Sequence, residues 1–311
     1  MRKLLIAAAV GTVVVLVGLA LRQSPPALTV DAQARQSQSG FDSSRAWEHV
    51  RRLVSIGPRP AGSAGIRQAR AYITRQISDI GLTVREQSFV AETPLGRVDM
   101  VNLVVTLPGR RSDKILLTGH YDTKLYREFV FVGANDGGSS GAFLIELARA
   151  LKDLEREFTW ELVWFDGEEA MRTDWIDPDN TYGSRYYVQT AREADALDSV
   201  RALVLVDMIA DSRPQFLREG YSTDWLKDII WGTARELGHN TVFLDFETPI
   251  EDDHVRFLEA GVPAVDIIDL NDYPHWHQPT DTLDKLSARS LQIVGDVLLA
   301  SLPKIEAYLL R

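Results

Sequence analysis

Cysteine is absent from the 311-residue chain. Its absence excludes disulfides, zinc–thiolate sites, iron–sulfur clusters and cysteine nucleophiles. Histidine is scarce, at six residues, so a metal site would have to combine a few imidazoles with Asp and Glu. Positive charge is outnumbered: 34 Lys and Arg stand against 44 Asp and Glu, for a formal net charge of −10. Because nucleic-acid binding depends on clustered Lys and Arg, we expect no nucleic-acid partner.

The N-terminus has the pattern of a targeting segment. Arg2 and Lys3 precede a largely apolar run from Leu4 to Leu21, which is long for a signal peptide and long enough to span a bilayer as a helix. No small-residue cleavage site follows it directly, so residues 1–22 are predicted to be a signal anchor, with a cleaved signal peptide as the alternative. Basic residues before the span predict that the rest of the chain is exported. We expect it to face the periplasm or extracellular side on its anchor, or to be secreted if the segment is cleaved.

The remainder divides into a tether and one domain. Residues 23–40 are rich in Gln, Ser, Ala and Pro, which is typical of a flexible tether, and the membrane is expected to be contacted only through the N-terminal segment. Residues 41–311 alternate helical and strand patterns, and several strands are apolar on both faces. This pattern predicts a single α/β domain, a three-layer sandwich with a mostly parallel central sheet and helices on both faces. The predicted strands are Leu82–Val90, Met100–Leu107, Lys114–Thr118, Trp160–Phe165, Ala202–Val206, Thr241–Phe246 and Ala264–Ile268.

Acidic and histidine side chains follow the ends of four of these strands. In open α/β sheets, sites form at the carboxyl ends of the strands. A single Asp in such a place is usually a cap or turn residue, and a pair of glutamates can be a solvated surface, but four endings of this kind at one edge favour a functional site. The residues concerned are His120 with Asp122, Glu168 with Glu169, Asp207, and the loop that holds His277, with Asp136 just before a predicted helix.

This set of side chains suits a divalent metal such as Zn²⁺. Imidazole and carboxylate are zinc ligands, and a catalytic site keeps one position open. One of the adjacent glutamates can bind the metal while the other stays free as a general base. Asp122 is placed to orient the imidazole of His120. The sequence contains no HExxH helix, no GxSxG elbow and no phosphate-binding loop.

The motifs together resemble the zinc aminopeptidase superfamily. They are Gly57-Pro-Arg-Pro-Ala-Gly-Ser, His120-Tyr-Asp, Asn135-Asp-Gly-Gly, Glu168-Glu169, Asp207 and His277-Gln-Pro-Thr-Asp-Thr. The resemblance implies one metal on Asp136, Glu169 and His277. It implies a second on His120, Asp207 and the bridging Asp136, with Glu168 as general base.

Within that superfamily the chain is more similar to the glutaminyl cyclases. The stretches that carry this likeness include His120-Tyr-Asp-Thr-Lys, Phe165-Asp-Gly-Glu-Glu-Ala, Tyr182-Gly-Ser-Arg, Asp252-Asp-His and Trp276-His. The resemblance implies an acyltransferase that converts N-terminal Gln of peptides or proteins to pyroglutamate with release of ammonia. It also implies that Asp207 and Asp252 act beside Glu168, and that Trp276, Tyr273 and Trp175 line the substrate pocket.

Two alternatives stay open at this point. The His277-Gln-Pro-Thr-Asp-Thr motif is closer to the aminopeptidase form, so a zinc aminopeptidase that hydrolyses N-terminal residues is the runner-up. The third hypothesis is a catalytically inactive ectodomain of the same fold. We expect one zinc ion for a cyclase and two for an aminopeptidase, and a monomer in either case.

Overall fold

The computed structural model describes residues 40–311. The predicted anchor over residues 1–22 lies outside the described residues, as does the tether up to residue 39. From Gly40 onward, no helix is both long and apolar enough to cross a membrane.

A six-stranded sheet forms the middle layer, with the strand order β1-β2-β4-β3-β5-β8. The pairs β3–β4, β3–β5 and β5–β8 are parallel, whereas β2 is antiparallel to both β1 and β4. The prediction of a mostly parallel sheet is therefore confirmed. Its strands are β1 (Val84–Thr93), β2 (Gly96–Leu107), β3 (Arg111–His120), β4 (Phe158–Phe165), β5 (Val200–Asp207) and β8 (Ala264–Ile268).

Seven helices cover the two faces of the sheet in the described part of the chain. They are α1 (Ser43–Ile56), α2 (Ala64–Asp79), α3 (Gly138–Leu151), α4 (Tyr182–Glu193), α5 (Asp224–Glu236), α6 (Asp253–Glu259) and α7 (Ala288–Leu309). Helices α1, α2, α3, α5 and α7 share an apolar core with one face, and α4 and α6 share a smaller core with the other. These three layers confirm the predicted sandwich.

The central strands are apolar on both sides because each side packs against helices. In β4 all eight residues are buried. Leu162 and Trp164 belong to the larger core, while Val163 and Phe165 belong to the smaller one, as the alternation of side chains along a strand requires. Burial on both faces explains why the sequence of this strand is a nearly continuous apolar run.

Two local features differ from the predictions. The chain between β5 and α6 forms a small separate sheet of two parallel strands, β6 (Phe216–Glu219) and β7 (Phe243–Thr248). Periodicity did not reveal β6. The segment Asp252–His254 begins a short helix that periodicity did not reveal either: Asp252 is the N-cap of α6, and its side chain accepts the backbone N–H of Asp253. An Asp that satisfies a free N–H in the first turn stabilises such a helix.

Candidate active site

The carboxyl ends of three neighbouring strands place acidic and histidine side chains at one edge of the sheet. His120 is the last residue of β3, and Asp207 is the last residue of β5. Glu168 and Glu169 follow β4 after a two-residue turn, where His120 is in register with Phe165. Because β3 lies between β4 and β5 and runs parallel to both, the three endings meet, as predicted from the strand pattern.

A loop just before α3 brings Asp136 to the same place. Gly137, the N-cap of α3, has a left-handed backbone conformation with φ +69°. A Cβ atom at this position would lie 2.1 Å from the backbone oxygen of Asp122 and 3.0 Å from the His120 ring. Only glycine fits, and this close approach is what allows Asp136 to lie against the end of β3.

Asp136 stands between the two histidines that the sequence singled out. Its Oδ1 is 3.3 Å from Nε2 of His120, and its Oδ2 is 3.3 Å from Nε2 of His277. The His277 Nε2 is also 3.1 Å from Oε1 of Glu169, and the His120 Nε2 is 3.0 Å from Oδ1 of Asp207. The five side chains thus form two groups that share Asp136.

Two further carboxylates hold the backbone of these groups. Asp122 accepts the backbone N–H of Glu168 at 3.2 Å and that of Glu169 at 3.4 Å, and its Oδ1 is 3.3 Å from Nδ1 of His120. Asp281 accepts the backbone N–H of Asp136 at 3.2 Å. These contacts join the strand ends to the loops, so the geometry of the site depends on both carboxylates.

The His277 backbone is itself strained. It has φ +54°, a left-handed conformation that a side chain with a Cβ rarely adopts. The Trp276 ring stacks on the His277 ring with their centres 4.2 Å apart. Such conformations persist where the surrounding structure imposes them, which occurs often at functional sites.

The charges of the site shift the pKa values of its members in opposite directions. Burial raises the pKa of Asp136, but the neighbouring imidazoles of His120 and His277, each 3.3 Å away, outweigh it and hold the pKa below its usual value. Burial lowers the pKa of His277, whereas the charge of Glu169 and the nearby carboxylate of Asp136 raise it to about 10. The protonated imidazole of His277 is therefore stabilised by its negatively charged neighbours.

A second set of carboxyl groups has raised pKa values. Burial raises the pKa of Glu168 well above its ordinary value, and the charge of Asp252 adds to this effect. Burial also raises the pKa of Asp252, and nearby Asp207 raises it further. Carboxyl groups packed in this way hold protons that isolated carboxylates would release. Glu168, Asp207 and Asp252 therefore form a group of buried carboxyl groups with raised pKa values beside the histidines.

These residues line a pocket of about 550 Å³. Its inner wall contains both glutamates, Asp136, Asp207, Asp252 and His277, and Trp276 and Trp175 line it as the resemblance implied. Tyr273 does not line this pocket. Its side chain is 4% exposed, and its hydroxyl donates to Oδ1 of Asp281 at 2.6 Å, which turns the ring into the protein.

The donor atoms fit a divalent metal at two positions. One ligand atom from each of Asp136, Glu169 and His277 can be chosen so that all three lie within 4.8 Å of one another, and His120, Asp136 and Asp207 satisfy the same criterion. Asp136 Oδ2 and Glu169 Oε2 are buried and accept no hydrogen bond from residues 40–311. Buried carboxylate oxygens without donors are costly unless a cation is present. Oxygen and imidazole ligands in this number suit Zn²⁺.

The structure brings into the site two residues that lie within the quoted motifs but were assigned no role from the sequence. Asp281 supports Asp136, and the only signal for it is its position in the Pro-Thr-Asp turn after His277. Lys124 lines the pocket, with its Nζ 3.7 Å from Oε2 of Glu169. It follows His120 by four residues, so its place in the site could not be read from a strand end.

Comparison with known proteins agrees with this geometry. Residues 102–302 match the family model described as peptidase family M28. A glutaminyl-peptide cyclotransferase-like protein of Mus musculus is 31% identical over 281 residues, which cover 81% of this chain and 73% of that protein. The glutaminyl-peptide cyclotransferase of Bos taurus is 30% identical over 310 residues, which cover 88% and 85%.

A solved structure is similar over nearly its whole length. The glutaminyl cyclase of an Acidobacteriales bacterium superposes with a TM-score of 0.82 at 35% identity, covering 86% of this chain and 96% of that one. The matches in sequence and in structure extend across the strand ends that carry the site. The chain therefore belongs to peptidase family M28 and, within it, to the glutaminyl-peptide cyclotransferases.

Proposed function

We propose that the chain is a zinc-dependent glutaminyl-peptide cyclotransferase, which converts an N-terminal glutaminyl residue of a peptide or protein to pyroglutamate and releases ammonia. The observation that carries this proposal is the set of carboxyl groups around Glu168. Asp207 and Asp252 line the same pocket and, with Glu168, share raised pKa values next to the proposed metal ligands. A group of this kind can accept and return a proton within one reaction.

The substrate supplies both reacting groups. Its α-amine nitrogen attacks the γ-carboxamide carbon, a C–N bond forms, and the bond to the carboxamide nitrogen breaks. Because both groups belong to one residue, holding them in the reactive geometry is a large part of catalysis. Glu168 takes a proton from the attacking amine and delivers it to the departing nitrogen, which leaves as ammonia.

The other residues orient the substrate. In this proposal Asp207 and Asp252 hydrogen-bond to the substrate amine beside Glu168, and Trp276, which lines the pocket, forms one of its walls. Asp136, Glu169 and His277 would hold a zinc ion, which would supply positive charge to polarise the carboxamide carbonyl and stabilise the negative charge that develops on its oxygen.

We expect one zinc ion per chain. The charge of Asp207 raises the pKa of Asp252, and a proton shared between these two carboxyl groups would make Asp207 a poorer ligand for a second cation. The competing candidate is a zinc aminopeptidase. It is favoured by the second group of donor atoms, on His120, Asp136 and Asp207, which a hydrolase could use to hold a second metal and position water.

One assay distinguishes the two activities. Purified enzyme is given a peptide with N-terminal Gln and, separately, a leucine anilide, while ammonia, free amino acid and product mass are followed. The proposal expects ammonia and a pyroglutamyl peptide, with little release of leucine. The same Gln peptide with its amine acetylated is the matched control and should not react, because the nucleophile is blocked. Two tightly bound zinc ions with rapid release of N-terminal amino acids would instead establish an aminopeptidase.

The catalytic unit in this proposal is residues 41–311, acting as an exported monomer. Residues 1–22 anchor it to the membrane or direct its secretion, and residues 23–40 act as a tether. Membrane fractionation of the full chain tests this assignment, and gel filtration of residues 41–311 tests the monomer.

A further inference from the structure

The pocket contains two buried hydrogen-bond donors that the proposed mechanism does not use. Lys124 lines the pocket with 1% of its surface exposed, and its Nζ donates no hydrogen bond to any residue from 40 to 311. The indole nitrogen of Trp175, in the same wall, is also buried and has no partner there. Buried donors without partners are costly, so they indicate a missing acceptor.

The two donors are neighbours. The Lys124 Nζ is 5.9 Å from the centre of the Trp175 ring. Its nearest carboxylate is Glu169, whose Oε2 is 3.7 Å away, which is an ion-pair distance but too long for a hydrogen bond. The charge of Lys124 is therefore partly balanced, while its N–H groups stay available to an acceptor.

The distribution of charge in the pocket indicates which group of the substrate accepts hydrogen bonds from Lys124 and Trp175. Lys124 is the only Lys or Arg among the described residues that line the pocket, and seven lining residues are Asp or Glu. A substrate amine is attracted to the carboxyl groups of Glu168, Asp207 and Asp252. It is repelled by the ammonium group of Lys124. The substrate group that needs a donor, and that is attached to the same carbon as the amine, is the α-carbonyl.

We propose that Lys124 and the indole N–H of Trp175 bind the carbonyl oxygen of the first peptide bond, which joins the N-terminal glutamine to the next residue. This inference rests on the proposed function. The amine at Glu168, the carboxamide at the metal ligands and this carbonyl give three attachment points around one tetrahedral carbon. Three points select the L isomer and direct the amine toward the carboxamide carbon.

A comparison of two substrates tests the contact. L-glutamine N-methylamide carries the carbonyl, and (R)-4-aminopentanamide, which has the same spatial arrangement at its stereocentre, has a methyl group in place of the N-methylcarboxamide group while keeping the amine and the reacting carboxamide. Lys124→Met removes the ammonium group at similar volume, and Trp175→Phe removes the indole N–H but keeps an aromatic ring. We expect Lys124→Met to lower kcat/KM roughly 10- to 100-fold for the substrate with the carbonyl and by less than about twofold for the substrate without it. The reason is that a hydrogen bond from a charged donor is lost only where the carbonyl exists. Trp175→Phe should show the same selectivity with a smaller loss of about 3- to 10-fold.

A second buried lysine provides the matched control. Lys227 is 1% exposed and pairs with Glu247, outside the pocket lining. Lys227→Met should leave the ratio of the two substrates unchanged. The zinc content of every variant is measured in parallel, because Lys124 also lies near Glu169.

The possible results distinguish this contact from the proposed function. Equal losses on both substrates, or loss of zinc from Lys124→Met, would mean that Lys124 acts on Glu169 and would overturn the proposal. If the wild-type enzyme cyclised neither compound, the proposed function would fail by itself. The dissociation constants of the two compounds, measured by calorimetry, would then test the contact, and equal binding would refute it.

Discussion

Replacing Glu168 by glutamine separates a catalytic base from a metal ligand. The two adjacent glutamates differ in their surroundings: Glu169 Oε1 is 3.1 Å from Nε2 of His277, whereas Glu168 Oε2 is 3.7 Å from Nδ1 of His120. Glutamine keeps the size of the side chain and the backbone N–H that donates to Asp122. Glu168→Gln should therefore retain the zinc and the fold but lose the base.

The expected loss follows from the role assigned to the side chain. General-base catalysis contributes about 10²- to 10⁴-fold, so kcat should fall by that factor, equivalent to about 3–5 kcal/mol of activation free energy. Stability should change little, because glutamine has the size of glutamate and the backbone N–H at position 168 still donates to Asp122. The assay follows ammonia release from a Gln peptide, with zinc content and melting temperature measured on the same samples.

Glu169→Gln is the matched control. This variant carries the same chemical change at the next residue, whose side chain contacts His277. It should lose zinc as well as activity. If Glu168→Gln lost its zinc while Glu169→Gln kept it, the two roles would be exchanged. If Glu168→Gln kept more than about a tenth of the wild-type rate, the base would have to be another residue.

Four further results are expected. Asp252→Ala should lower cyclisation at least ~100-fold with zinc retained, since it removes a partner of the base; a near-silent variant would favour the aminopeptidase. Glu306→Ala should lower the unfolding free energy by about 1–3 kcal/mol in urea titrations without changing kcat, because Glu306 accepts the buried Trp160 indole N–H at 3.0 Å. A chain that starts at Phe41 should be soluble and active, and insolubility would contradict that boundary. Burial and Asp122 raise the pKa of Asp166 to about 7, so wild-type stability should fall as pH rises from about 4 to 7, as the unfolded state ionises first. Asp166→Asn should remove that part of the pH dependence, as denaturant titrations at several pH values would reveal.

The location of the site follows from the sequence. His120, Asp207 and the glutamate pair directly follow apolar strands, and parallel strands bring their carboxyl ends to one edge whatever the rest of the fold does. Periodicity of two along a strand and the flanking charged residues are local properties, so they could be read without coordinates. The family resemblance added roles to these positions, because motifs record residue order as well as type.

The directions in which loop side chains point are determined only by tertiary contacts. Tyr273 lies three residues before Trp276, yet it turns inward because its hydroxyl finds Asp281, while Trp276 stays 42% exposed over the pocket. Lys124 and Trp175 are 51 positions apart in the chain and meet only because the loops after β3 and β4 fold over the same edge. No periodic pattern determines where such side chains point, since each direction depends on partners that are distant in sequence and brought near only by packing.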